Sequence, residues 1–203
     1  RDRSGPDAAP EEQSPVIAPE QQRNIDPDSI IHEQERETLR LLLNYPNAVV
    51  EDRPLPDFLF FELEDVSFIH PVYVNVFRSV RSIWLEGRPI DSADFLTGGN
   101  PEERELVTGL VTRKYSLSRY WGDKYNIHVP DEPDMISELA VGNVNRMKYR
   151  LVQRMIDENN KAIREADQSS DEGNLMLCLD KGVRLKEAER ELAGTLGIVV
   201  GRP

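Results

Sequence analysis

Apolar residues recur at helical spacing along most of the chain. Between Asp134 and Gln168 they fall at Ile136, Leu139, Ala140, Val144, Met147, Leu151, Met155, Ile156 and Ile163 without an internal proline, which predicts one long helix. At about 1.5 Å per residue such a helix reaches roughly 45 Å, more than the width of a small helical domain. A polar break from Ser169 to Asn174 follows, and Leu175, Leu179, Val183, Leu185, Ala188, Leu192 and Leu196 restart the stripe before Gly197. Ser169 with Glu172 three residues later reads as a capping box, and Gly197 suits the left-handed position after a last turn. Two long helices around a short turn make a helical hairpin.

Upstream, Ile31, Leu39, Leu42 and Leu43 share one face of a helix over 30–44, with Arg36 and Arg40 on another, and Tyr45-Pro46 stops it. Leu55 to Phe61 reads as a short, very apolar turn of helix. A stronger helix is predicted over 67–86 from Ile69, Val72, Tyr73, Val76, Val80, Ile83 and Trp84, closed by Gly87 and then Pro89. Asp91 to Leu96 forms a short helix ended by Gly98-Gly99. Asn100 as N-cap, Pro101 at the first helical position and Glu103 at the third open another, carrying Leu106, Val107, Leu110 and Val111. Residues 113–134, with Tyr115, Tyr120, Trp121 and Tyr125 among basic and polar neighbours, read as a partly helical connector.

No strict alternation longer than four residues appears, nor any repeat of 20 to 50 residues. The expected fold is therefore all-α: a bundle of about five or six helices over 29–133, followed by a long C-terminal hairpin over 134–203. Residues 1–28 hold five of the fourteen prolines, no aromatic residue and an acidic excess, the composition of a disordered linker. The chain begins with Arg1, so a fragment or processed product is expected, with 28/29 a boundary to an upstream domain.

Charge separates the same regions. The net charge of −12 lies in the linker, at −4, and the bundle, at −7, while 134–168 is neutral and 169–203 is at −1. An acidic body repels phosphate backbones, so no direct nucleic-acid binding is expected and a protein partner is the better expectation. The single cysteine, Cys178, fits a reducing compartment and the habits of a small buried hydrophobe. No apolar run approaches the ~18 residues of a membrane helix. A soluble, cytoplasmic protein without membrane contact is expected.

Candidate chemistry is sparse. His32, His70 and His128 are scattered, outside any metal-ligand spacing. Glu62, Glu64 and Asp65 form the tightest acidic group, read as capping the helix near Ser67, with a divalent-metal hydrolase as the functional rival. Gly98-Gly99 lacks the Lys-Ser or Lys-Thr of a phosphate loop. No catalytic residue, metal site or cofactor is assigned. Arg146, Lys148, Arg150, Arg154, Lys161 and Arg164 gather on the first hairpin helix, where ion pairs with Glu187, Glu189 and Glu191 of the facing helix are expected, or else a docking surface for an acidic partner.

The run from Glu35 to Pro46, Glu-Arg-Glu-Thr-Leu-Arg-Leu-Leu-Leu-Asn-Tyr-Pro, resembles the opening of the C-terminal domain of bacterial DNA primase. Phe58 to Phe61, the helix with Phe77 and Trp84, and the order bundle, connector, hairpin extend the resemblance over about 29–200; the 113–134 connector is unmatched. The resemblance implies a non-catalytic helicase-interaction domain that recruits primase, a DNA-directed RNA polymerase, to the replicative helicase for primer synthesis at the fork. The polymerase core would lie upstream.

On that reading the helicase would meet hairpin residues Arg154, Met155, Ile156, Ile163, Arg164, Leu175 and Leu192. The resemblance also implies that the acidic tail of single-stranded DNA-binding protein would meet Arg36, Arg40, Arg113 and Lys114. The alternative is the N-terminal domain of the helicase itself, a self-associating module with the same plan.

Overall fold

The computed structural model describes residues 27–98, 100–112 and 131–198. Seven α-helices are formed there: α1 Pro27–Asn44, α2 Leu55–Glu62, α3 Pro71–Leu85, α4 Ser92–Gly98, α5 Pro101–Val111, α6 Ile136–Gln168 and α7 Glu172–Leu196. A single 3₁₀ turn, Glu132–Met135, leads into α6. The all-α expectation holds. Of the linker expected over 1–28, residues 27 and 28 already belong to α1; residues 1–26 and most of the connector, His128 included, lie outside the described residues.

One small departure is a two-stranded antiparallel hairpin, β1 Val49–Val50 and β2 Arg53–Pro54. Its two-residue loop, Glu51-Asp52, has both residues at positive φ (49° and 62°), the backbone of a type I′ turn made here without glycine. Two-residue strands are too short to leave an alternation signal.

Helix boundaries follow local chemistry where it is unopposed. The Asn100 side chain accepts from the Glu103 N–H at 2.9 Å, and Pro101 stands at N1. Gly197 adopts φ 67° at the end of α7. Two expectations are corrected. α7 is capped by Asp171, which accepts from the Asn174 N–H at 3.1 Å, while the Ser169 hydroxyl donates back to the Glu165 carbonyl at 2.8 Å. Ser169 therefore closes α6, and Ser170 turns the corner at φ 55°. The helix expected from Ser67 starts instead at Pro71, so the acidic group at 62–65 caps nothing there.

The core is built from α1 (Leu39, Leu41, Leu42), α2 (Leu55, Phe58, Leu59), α3 (Val76, Val80), α5 (Val107, Leu110) and the first half of α6 (Ile136, Ala140, Val144, Met147), all buried. At about 1.5–3 kcal/mol for each fully buried large aliphatic side chain, this cluster dominates the stability of the bundle. Buried and half-buried polar groups fix the register of its helices. Asn143 of α6 donates to the Thr38 hydroxyl (2.9 Å) and the Gln34 carbonyl (3.1 Å) of α1. Asn44 donates to the Leu110 carbonyl (3.1 Å), tying α1 to α5.

α6 thus belongs to the bundle for its first half. A boundary at 133/134 runs ahead of a helix that serves both regions. Beyond Leu151, the buried residues Ile156, Asn159 and Ala166 of α6 lie outside the bundle core, on the face that meets α7.

Candidate functional site

The arm formed by the distal half of α6 and by α7 is the part of the molecule least occupied by its own fold. α7, 25 residues and so about 37 Å long, packs along α6, with at most marginal contacts to other described elements. Its inward seam runs Leu175, Cys178, Gly182, Leu185, Glu189, Leu192, Leu196, a spacing of alternating threes and fours that keeps one face against a neighbouring helix. Midway, the buried Asn159 donates to the Cys178 carbonyl at 2.8 Å. Gly182 makes room for it: a Cβ there would sit 3.2 Å from Asn159 Nδ2. Glu189, 6% exposed, is paired by Lys186 of its own helix at 2.9 Å.

Much of α7 remains uncovered. Met176 is 73% exposed, Leu177 70%, Val183 60% and Leu179 50%. Single exposed apolar residues are ordinary, but Met176, Leu179 and Val183 lie together on one face of α7, the kind of exposure found at interaction surfaces, and Leu177 is exposed about 100° round the helix from Met176.

Of the hairpin residues expected to contact a partner, Met155 and Arg164 are exposed, and Arg154, Ile163, Leu175 and Leu192 are half-buried. Ile156 is buried. Leu175 and Leu192 belong to the seam against α6. Sequence reading thus assigned the inward stripe of α7 to the partner, whereas the outward apolar residues are Met176, Leu177, Leu179 and Val183. For Met176, Leu179 and Val183 the signal was present as a second apolar series offset from the first by one residue.

Among the basic side chains of α6, Lys148 pairs with Glu62 of α2 (2.6 Å), Arg150 donates to Gln153 (2.8 Å) and Arg154 bonds Glu158 of its own helix (3.1 Å). Arg36 and Arg40 both lie on α1. Arg36 reaches the Gly109 carbonyl at 3.5 Å, and Arg40 is clamped between Glu37 (2.7 Å) and Glu132. Those two carboxylates hold the Arg40 guanidinium firmly charged, its pKa raised chiefly by the Glu37 hydrogen bond. Arg113 and Lys114 lie outside the described residues.

A polar cluster inside the bundle was not expected. His32 and His70 stand edge to face at 5.2 Å, and His70 stacks on Tyr73 at 4.1 Å. Below them the fully buried Glu35 carboxylate accepts the backbone N–H groups of Ile69 and of His70 (3.2 Å). Burial pushes its pKa above the ordinary 4.5, against the pull of those two donors and of the nearby imidazoles. The carboxylate thus receives the chain just ahead of α3, where backbone donors would otherwise lack partners. Its role is structural.

Elsewhere, Glu62 is taken by Lys148, while Glu64 and Asp65 are exposed. Among the described residues no group of three His, Cys, Asp or Glu side chains is placed to hold a metal. A shallow hollow of about 330 Å³ between the end of α1 and the start of α6 is walled by Pro46, Ala48, Pro133 and Ile136, with Asn44 and Tyr45 at its side. No described helix is long and apolar enough to cross a membrane.

Compared with known proteins, the chain matches over residues 18–199 a family described as a domain of unknown function, DUF8430. It belongs to that family. Neither the curated proteins nor the solved structures give a match. The DUF8430 match runs through the bundle, the connector and both helices of the arm, so the arm is part of the family's domain and not an appendage to it.

Proposed function

We propose that this chain is a protein-docking domain whose α6–α7 arm contacts a replicative DNA helicase, in the manner of the helicase-interaction domain of bacterial primase. The observation that carries the reading is the exposure of four large apolar residues, Met176, Leu177, Leu179 and Val183, on a helix packed against α6. The sequence resemblance over 29–200 names the partner. Charge agrees, because the arm is nearly neutral while the bundle is acidic, so the arm approaches an acidic protein surface with less repulsion.

A contact with the acidic tail of single-stranded DNA-binding protein has less support, since Arg40 already serves two carboxylates.

Titrating the full chain into the assembled replicative helicase of the same organism tests the proposal. Saturable binding is expected, weakened about tenfold or more by Leu177→Lys, as for loss of an interface anchor. Wild-type chain that does not bind overturns the reading, and binding untouched by Leu177→Lys removes this face of the arm from it.

A further inference from the structure

The exposed face of α7 carries more order than an apolar patch. Glu172, Met176, Leu179, Val183, Lys186 and Arg190 are all exposed, and they follow one another at intervals of four, three, four, three and four. That is the spacing of a coiled-coil seam. It lies one residue, and so about 100°, round the helix from the seam that packs on α6. α7 therefore presents two parallel seams, one filled by α6 and one open.

The open seam is antisymmetric in charge. It begins acidic at Glu172, is apolar at Met176, Leu179 and Val183, and ends basic at Lys186 and Arg190. A partner helix of the same sequence, laid antiparallel about a two-fold axis near Lys181, sets Leu179 against Val183, Met176 against the aliphatic stem of Lys186, and Glu172 against Arg190. Each of these contacts occurs twice, as an isologous interface requires. Neither Glu172 nor Arg190 has an ion-pair partner among the described residues, whereas Lys186 keeps its ammonium on Glu189 and leaves its stem free to cover Met176.

Two features select the antiparallel arrangement. A parallel pair would set Glu172 against Glu172 and Arg190 against Arg190. It would also bring two acidic bundles side by side, whereas the antiparallel pair holds them at opposite ends of helices about 37 Å long, several Debye lengths apart at physiological salt.

We propose that α7 pairs antiparallel with α7 of a second copy of this chain through the seam from Glu172 to Arg190, giving a two-fold dimer. The pairing covers Met176, Leu179 and Val183, so it competes with the helicase for that face of α7 and leaves Leu177 open. Leu177 lies off the seam, so the Leu177→Lys test of helicase binding and the test below fail separately.

Sedimentation equilibrium of the full chain over a range of concentrations reads the outcome. The wild type is expected to approach twice its 23.2 kDa. Arg190→Glu and Glu172→Arg, each creating two like-charge contacts, are expected to weaken dimerisation at least tenfold. The double variant, which restores opposite charges, is expected to regain it, and that recovery separates a broken interface from a misfolded helix. A monomer at every concentration, a mass beyond two copies, single variants that dimerise like the wild type, or a double variant no better than the singles overturns the proposal.

Discussion

The bundle and the arm are made of the same kind of element but held together by different means. In the bundle, most helices meet several others: α1 packs against α2, α3, α5 and α6. Its large apolar residues, Leu39, Leu41, Leu42, Val50, Leu55 and Leu59, are fully buried. In the arm, α7 has α6 as its packing partner, and its buried positions are fewer and smaller: Leu185, Glu189 and Ala193. The bundle therefore spends most of its apolar surface on itself, with Val49, Phe61 and Leu85 left exposed, while the arm keeps much of its own in contact with solvent. The contrast teaches that a long helical stripe is core where a second layer of helices covers it and interface where only one helix does.

Substitutions break this comparison in order of burial. Leu59→Ala, in the centre of the bundle, is expected to cost about 2–5 kcal/mol, the range for emptying a packed aliphatic site, read as a fall in the urea midpoint of the bundle. Glu35→Ala leaves the Ile69 and His70 N–H groups buried without an acceptor and is expected to cost about 1–3 kcal/mol in the same measurement. Asn159→Ala removes the hydrogen bond to the Cys178 carbonyl across the arm, for a loss of about 1–2 kcal/mol. Hydrogen exchange distinguishes this loss from the first two: amides of α7 lose protection while those of α1 and α3 do not, because the arm opens as a local unit.

The pH dependence of Glu35 sharpens the same contrast. Its pKa is raised by burial above the ordinary 4.5, so the stability gained from its protonated form is complete below pH 4.5 and is lost as pH rises through the folded-state value. Glu35→Gln has no such titration. Relative to that variant, the wild type is expected to lose stability as pH rises above 4.5, seen as a pH-dependent difference in urea midpoints; a constant difference removes the titration of Glu35 as its cause. Smallest of all, Leu179→Ala on the open face of α7 is expected to stay within about 0.5 kcal/mol of wild type, even though the same position lies at the centre of the proposed dimer seam.

Local chemistry made part of this legible in advance. Asn100, Pro101 and Glu103 act within a single turn, and Gly197 answers a backbone need at its own position, so both were readable from adjacent residues. The start of α3 was not. Its preceding N–H groups are taken by Glu35, thirty-four residues away from Ile69, and Pro71 rather than an acidic cap sets its first turn. The meeting of His32 with His70 and the clamping of Arg40 by Glu132 are likewise long-range. At the turn between α6 and α7, Ser169 and Asp171 both offer a capping oxygen, and the geometry of the corner decided between them.

For the candidate site, periodicity located the arm and its two helices but not which face is open. α7 carries two apolar series one residue apart, and hydrophobicity alone ranks Leu175 and Leu192 with Met176 and Leu179.

By itself, then, the sequence determined what depends on neighbours along the chain: the all-α class, the lengths of α6 and α7, most helix ends, and the division of charge between an acidic bundle and a nearly neutral arm. These follow from spacing, capping and composition, which act over one or two turns. Only the tertiary structure decided that the first half of α6 closes the bundle core, that Asn159 and Gly182 set the register of the arm, and that the seam from Glu172 to Arg190 faces outward. The physical reason is that a helix fixes the angle between its two stripes, but which stripe loses its water depends on the helices packed beside it.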